Sequence, residues 1–417
     1  MILGFLIFSD VFVLAADIST SPVKLMNSKE SFLEIGKLLF RKFCAHCHGR
    51  QGDGDGFNAK FLDKDPVELS SPEFLAKRSN EKLFRVISEG GARVKKSHLM
   101  PVFGHTLSEM EIWALVVYIR HLGGAHVSVS IPENINFKRP IRPALTLPDI
   151  ISFTSWFIEE GKKKEQRDKG KLLVMNKKSC LGCHQLNEEG GRVGPNLSRS
   201  SFNYKPEWIY AWISNPQTFR PDTKMPNLGL ESDEARAITA FLASLRPEEE
   251  DAVRNKTSID WKQYLSIKGN SVRGKKIFND TKGTANCAKC HLVKGQGGSI
   301  GPELSIVGTS RTREFLLESI LDPNAVITSG YETILILTKD RKLITGIKKG
   351  EDETGFEIVD KNGKDRHIPR NKIKKFKVQR VSTMPENFKD LLKTQEIADL
   401  LAYLNKQILP NVTFSIQ

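Results

Sequence analysis

One pentapeptide, written three times, constrains this chain more than any other feature. It reads Cys44-Ala45-His46-Cys47-His48, then Cys180-Leu181-Gly182-Cys183-His184, then Cys287-Ala288-Lys289-Cys290-His291. C-x-x-C-H is the spacing by which a c-type haem is attached. Two cysteines three apart lie on one face of a helical turn and can each form a thioether to the porphyrin edge. The histidine after them points its imidazole at the iron. The 6 cysteines of the chain are used up by the three copies. Other readings fit less well. Zinc sites assemble from C-x-x-C pairs two by two, and three pairs leave one over. A redox dithiol would follow a strand in a βαβ unit and would not recur with a histidine attached. The expectation is three covalently bound haem c groups, their irons held by His48, His184 and His291.

Each copy sits inside a longer repeat. Upstream lies an amphipathic stretch opening on Gly-Lys: Gly36-Lys37-Leu38-Leu39-Phe40, Gly170-Lys171-Leu172-Leu173-Val174 and Gly274-Lys275-Lys276-Ile277-Phe278. Downstream, closing helices are expected over 107–122, 232–245 and 394–404. Leu115 and Tyr118, Ile238 and Phe241, and Leu400 and Tyr403 form their i, i+3 apolar stripes. Ser108 with Glu111, and Thr394 with Glu396, supply capping residues. Between turn and closing helix comes Met-Pro, at Met100-Pro101, Met225-Pro226 and Met384-Pro385. In the second unit His184 is the only histidine and Met175 lies on the proximal side, so Met225 remains as the sixth ligand. The first unit also offers His98, His105, His121 and His126, with His98 two residues from Met100. In the third, His367 rivals Met384 but lies in a strand-like stretch.

Leading helix, attachment turn, Met-Pro loop and closing helix together resemble the class I cytochrome c fold. The clearest segments are residues 44–56, Gly194-Pro195-Asn196-Leu197 and Gly301-Pro302-Glu303-Leu304. The resemblance implies that Met100, Met225 and Met384 are axial ligands from loops folded over the distal faces. It also implies that a proline carbonyl orients each proximal imidazole, from Pro195 and Pro302, with Pro66 as the equivalent in the first unit. Methionine as the second axial ligand raises the reduction potential and saturates the iron, which argues for electron transfer and against an enzyme.

From proximal His to distal Met the chain runs 52, 41 and 93 residues in the three units. The excess in the third lies in 331–380, which reads as strands: 333–338, 343–347, 355–359, the turn Asn362-Gly363, and 373–378. Four or five short strands suit a small SH3-like barrel. The order Leu321-Asp322-Pro323-Asn324, Gly330-Tyr331-Glu332, strands, Met384-Pro385-Glu386 resembles the planctomycete/verrucomicrobial type of haem-binding cytochrome domain. That family's dehydrogenase-like catalytic part has no counterpart in this sequence. The insert carries 14 Lys and Arg against 8 Asp and Glu, densest at residues 372–377. A docking surface is one reading; exposed lysines that protect an edge strand from aggregation is the other.

The expected fold class is therefore mainly α: three tandem cytochrome c-like helical domains, the third with an inserted small antiparallel β subdomain. The boundaries are 1–16 signal peptide, 17–125 first domain, 126–165 proline-rich and charged linker, 166–246 second domain, and 247–417 third domain with its insert at 331–380. Residues 1–16 are apolar and end in small residues, as a secretory signal does, and covalent haem attachment agrees with a periplasmic or other extracytoplasmic place. Pro148 and Asp149 interrupt the next most apolar stretch. The net charge of +14 suits docking on acidic patches of redox partners, or peripheral association with a membrane or complex. Nucleic acid is not expected. The function expected is single-electron transfer in a respiratory chain. Alternatives are a subunit of a larger respiratory enzyme and a haem enzyme such as a peroxidase.

Overall fold

The computed structural model describes residues 29–124, 129–198, 204–245 and 261–408, apart from 281–282, 284, 329, 352–353, 361–362 and 380. The expected signal peptide, His126 and the start of the expected third domain, 247–260, lie outside the described residues. In chain order the main helices are α1 (Lys29–Phe43), α2 (Glu109–Leu122), α3 (Leu147–Trp156), α4 (Lys164–Leu172), α5 (Pro206–Ser214), α6 (Ser232–Ala243), α7 (Ser271–Asn279), α8 (Arg313–Leu321) and α9 (Thr394–Asn405). Five strands, β1 (Thr333–Thr338), β2 (Leu343–Glu351), β3 (Gly355–Val359), β4 (Asp365–Pro369) and β5 (Ile373–Gln379), lie between α8 and α9.

Leading and closing helices cross in three pairs, α1 on α2, α4 on α6 and α7 on α9. Each crossing is made at the glycine of the repeat. A Cβ on Gly36, Gly170 or Gly274 would stand 2.0 Å from the carbonyl oxygen of Ala114, Ala237 or Asp399 respectively. Backbone therefore touches backbone, which no larger residue permits. Four residues on, Phe40, Val174 and Phe278 are buried with Tyr118, Phe241 and Tyr403 of the closing helices. The ring centroids of Phe40 and Tyr118 are 5.3 Å apart and those of Phe278 and Tyr403 5.4 Å. Burying each such ring contributes roughly 1.5–3 kcal/mol. Around the three crossings grow three separate apolar cores.

Two start signals differ from expectation. Ser108 and Glu111 do form a capping box on α2. On α9, however, Lys393 is the N-cap, its N–H donating to the Glu396 carboxylate at 2.7 Å, and Thr394 is already helical. Pro148 and Asp149 begin a helix instead of interrupting an apolar stretch. Thr146 and Asp149 make a capping box, and Pro148 falls in the first turn of α3, where a missing N–H is harmless. α3 buries Ile150 and Phe153 in the second core, and Phe153 stacks on Tyr210 at 4.2 Å.

The proline-rich stretch before α3 is tied down. Asn136 exchanges hydrogen bonds with the start of α2, and Arg139 forks onto Glu111, with Nη2 2.6 Å from Oε1. Arg142 then donates to the Leu230 carbonyl at 2.6 Å and accepts from Asn215 at 2.7 Å. This segment thus clips the first core to the second.

The five strands form one antiparallel sheet, ordered β4-β3-β2-β1-β5. Alternate residues Ile334 and Ile336, Phe356 and Ile358, and Ile368 face a small apolar core. β5 is an edge strand, and its Lys374, Lys375 and Lys377 are exposed, as lysines that discourage edge-to-edge pairing would be. The sheet reaches the third unit through Lys349, whose Nζ lies 3.5 Å from the Ser299 carbonyl.

Candidate haem-attachment sites

The three attachment turns share one backbone hydrogen bond. His48 N–H donates to the Cys44 carbonyl at 2.9 Å, His184 to Cys180 at 2.8 Å and His291 to Cys287 at 2.9 Å. That bond brings two thiols and an imidazole within a single turn of chain, the spacing that two thioethers and an iron bond require. All six cysteines are free of disulfides. Burial pushes the Cys44 and Cys183 thiols up to about 12 and those of Cys180 and Cys287 up to about 11, and it raises Cys47 and Cys290 as well. In the absence of a bound group, burial therefore keeps these side chains as neutral thiols.

Each proximal imidazole is oriented by one backbone carbonyl. His184 Nδ1 lies 2.8 Å from the Pro195 oxygen and His291 Nδ1 2.8 Å from that of Pro302. In the first unit the partner is the Val67 carbonyl at 3.0 Å, one residue beyond the expected Pro66. A carbonyl only accepts, so Nδ1 carries the proton and Nε2 keeps its lone pair for a metal. Burial also holds all three histidines below their ordinary pKa, the carbonyl partly opposing it, which favours the neutral ring a ligand must be. Gly194 and Gly301 lie flat against two of these rings; a Cβ there would be 2.5 Å from His184 Cε1 and 2.7 Å from His291 Cε1.

Each methionine packs against the same core as one of the attachment cysteines: Met100 and Cys44 against the first, Met225 and Cys180 against the second, Met384 and Cys287 against the third. Hydroxyls hold their loops: Thr223 accepts from Met225 N–H at 3.2 Å and Ser382 from Met384 N–H at 3.1 Å, while Ser97 accepts from Leu99 N–H at 3.2 Å. A Ser or Thr two residues before Met-Pro was a readable sign in the second and third units that sequence reasoning passed over. Trp212, also missed, donates its Nε1–H to the Met225 sulfur at 3.0 Å. Of the rival histidines, His367 is bound to Glu357 across the exposed sheet at 2.6 Å. His98 stays a rival, because its Nε2 is buried without a hydrogen-bond partner.

Units two and three agree almost bond for bond. Gly194 N–H donates to Cys183 and Gly301 N–H to Cys290, at 2.8 and 2.7 Å, and a two-residue hairpin follows each turn. The first unit replaces that hairpin with a loop turning at Gly49, Gly52 and Gly54, all with positive φ. Free cysteine pairs, histidines committed at Nδ1 and thioether side chains in the same cores form the donor set of haem c, and the residues fit that group. Among the described residues no three His, Cys, Asp or Glu side chains cluster as another metal site would need.

Comparison with known proteins agrees with this chemistry. The family model described as cytochrome c oxidase, cbb3-type, subunit III matches residues 32–119, and the model described as cytochrome c matches 168–246 and 271–407. A curated cytochrome c from Stellaria longipes is 33% identical over 97 residues, spanning 18% of this chain and 88% of that protein. A chain of the reducing HAO-like protein complex of Kuenenia stuttgartiensis aligns over 51% of this chain and 96% of its own, at 20% identity and a TM-score of 0.19. With the cytochrome c model spanning more than half of its length, the chain belongs to the cytochrome c family.

Proposed function

We propose that the chain is a trihaem c-type cytochrome that carries single electrons between redox partners outside the cytoplasm. The observation that supports this best is the threefold recurrence of one constellation: attachment turn, histidine committed through Nδ1 to a carbonyl, and methionine in the same core as the cysteines. A bound haem c would supply a one-electron Fe(III)/Fe(II) couple. The six cysteines would fix its edge, while Val67, Pro195 and Pro302 orient the imidazoles. Met100, Met225 and Met384 would close the distal faces against exogenous ligands. On this reading the domains run 17–125, 166–246 and 247–417, with α3 of the intervening stretch packed onto the second. The five-stranded sheet is an SH3-like insert in a third unit of the planctomycete/verrucomicrobial type.

The basic surface suits acidic protein partners, which would be steered electrostatically and released by salt. A second reading, an electron-transfer subunit of a larger respiratory enzyme, draws on the match of residues 32–119 to an oxidase subunit. Among the described residues no helix is long and apolar enough to cross a membrane. The deciding experiment is a redox titration followed by visible and near-infrared spectra. Three low-spin haems, each with a sulfur-to-iron charge-transfer band and none binding carbon monoxide rapidly when reduced, support the proposal. A readily opened iron would turn it toward a haem enzyme.

A further inference from the structure

The first and second attachment turns are bridged by one residue, Asn58. It is fully buried. Its Nδ2 donates to the Gly182 carbonyl, in the middle of the second turn, at 2.9 Å, and to Cys47 Sγ of the first turn at 3.3 Å. Its Oδ1 accepts from Arg192 N–H, in the loop after the second turn, at 2.7 Å. Its own backbone N–H donates to His46 of the first turn at 2.9 Å. One side chain thus spans both turns and the loop that follows one of them.

The surroundings leave no slack. A Cβ on Gly182 would stand 2.1 Å from the Leu99 carbonyl oxygen, so the second turn rests on backbone beside Met100. A Cβ on Gly191 would stand 2.6 Å from the Gly182 oxygen and 2.8 Å from the Asn58 amide. Leu99 itself belongs to the second core, whereas its neighbour Met100 packs on the first. Further seams tie the two units, with Asn227 N–H donating to Thr106 Oγ1 at 2.8 Å. Between the second and third units, by contrast, Lys205 donates to the Gly308 and Ser310 carbonyls, residues that lie well beyond the third attachment turn in the sequence.

We propose that Asn58 is a positioning residue that locks the first and second haem-attachment turns into one rigid pair, so that the two groups they carry titrate as an interacting couple. The inference rests on the functional reading above, since it needs both turns loaded. Its physical basis is linkage. Charge added at one member of a fixed, buried pair changes the electron affinity of the other, and the factor is the same in both directions.

The test compares the loaded wild-type protein with N58A and G182A by circular dichroism in the Soret region and by spectroelectrochemical titration. G182A acts on a different contact of the same seam, pushing the second turn off the Leu99 carbonyl, so the test survives if N58A folds poorly. K205A, at the seam with the third unit, is the control. The wild type is expected to show a bisignate Soret band, and reduction of one member should lower the other's electron affinity about fivefold or more. In N58A and G182A, with three haems still attached, that factor and the band should fall about twofold or more, the low end of coupling between touching groups. K205A should leave both unchanged. Three attached haems with an unaltered band and titration in both variants would overturn this inference alone. A chain that carries no haem would overturn the functional reading as well.

Discussion

Gly194→Ala tests the proximal geometry of the second site at one atom. The new Cβ would lie 2.5 Å from His184 Cε1 and 2.7 Å from its Nδ1, where ordinary contact begins at 3.4 Å. The ring must retreat by about 1 Å or the loop must lift, and overpacking of that kind costs roughly 1–3 kcal/mol. Either movement strains the 2.8 Å bond from Nδ1–H to the Pro195 carbonyl. That bond makes the imidazole a stronger donor and so favours the ferric state. Its net worth is about 0.5–1.5 kcal/mol, which converts, at 59 mV per tenfold change, to a rise of up to roughly 20–65 mV in the potential of this one haem. Spectroelectrochemical titration reads the shift. Gly350→Ala is the control, because a Cβ there meets only Glu357 Cβ at 3.8 Å. A potential that stays put or falls, with all three haems attached and the control normal, would refute the reasoning.

Met225→Ala should abolish one sulfur-to-iron charge-transfer band and let reduced protein bind carbon monoxide at one site per chain, whereas His367→Ala should change neither. Gly170→Ala gains up to about 1 kcal/mol of helix propensity, but its Cβ would sit 2.0 Å from the Ala237 oxygen. The clash should dominate and lower the melting temperature in a thermal scan. Asp399 is buried; burial alone would raise its pKa, yet hydrogen bonds from Arg273, Asn270 and Gln395 hold it below the usual value. A depressed carboxylate stabilises above its unfolded pKa of about 3.9 and loses that contribution as pH falls through the lower folded value. Urea melts should show acid destabilisation that is absent in Asp399→Asn. Association with an acidic redox partner should slow steeply as salt rises, as stopped-flow mixing would show.

The repeated plan was legible because each part obeys a local rule. Cysteine and histidine spacing set the attachment turns, and glycine and aromatic residues at fixed intervals set the helix crossings. The strands at Thr333–Thr338 and Gly355–Val359 followed from β-branched alternation bounded by turns. What escaped was decided between distant segments. Asn58 looks like any loop asparagine until Gly182, 124 residues later, arrives against it. The proline-rich stretch read as a spacer because its anchors, Glu111 of α2 and Leu230 just before α6, lie far away along the chain. In the first unit the orienting carbonyl moved from Pro66 to Val67, because a glycine-turned loop replaces the hairpin that sets the spacing in the other two.

Every proposal above requires that this polypeptide carry three covalently attached haems. Intact-mass measurement of the purified chain, paired with a pyridine haemochrome spectrum, tests it most directly. The expected result is the mass of the mature chain plus three haem groups, with a thioether-type haemochrome in threefold ratio to protein. A colourless chain at its bare mass, or haem that organic solvent extracts, would contradict it.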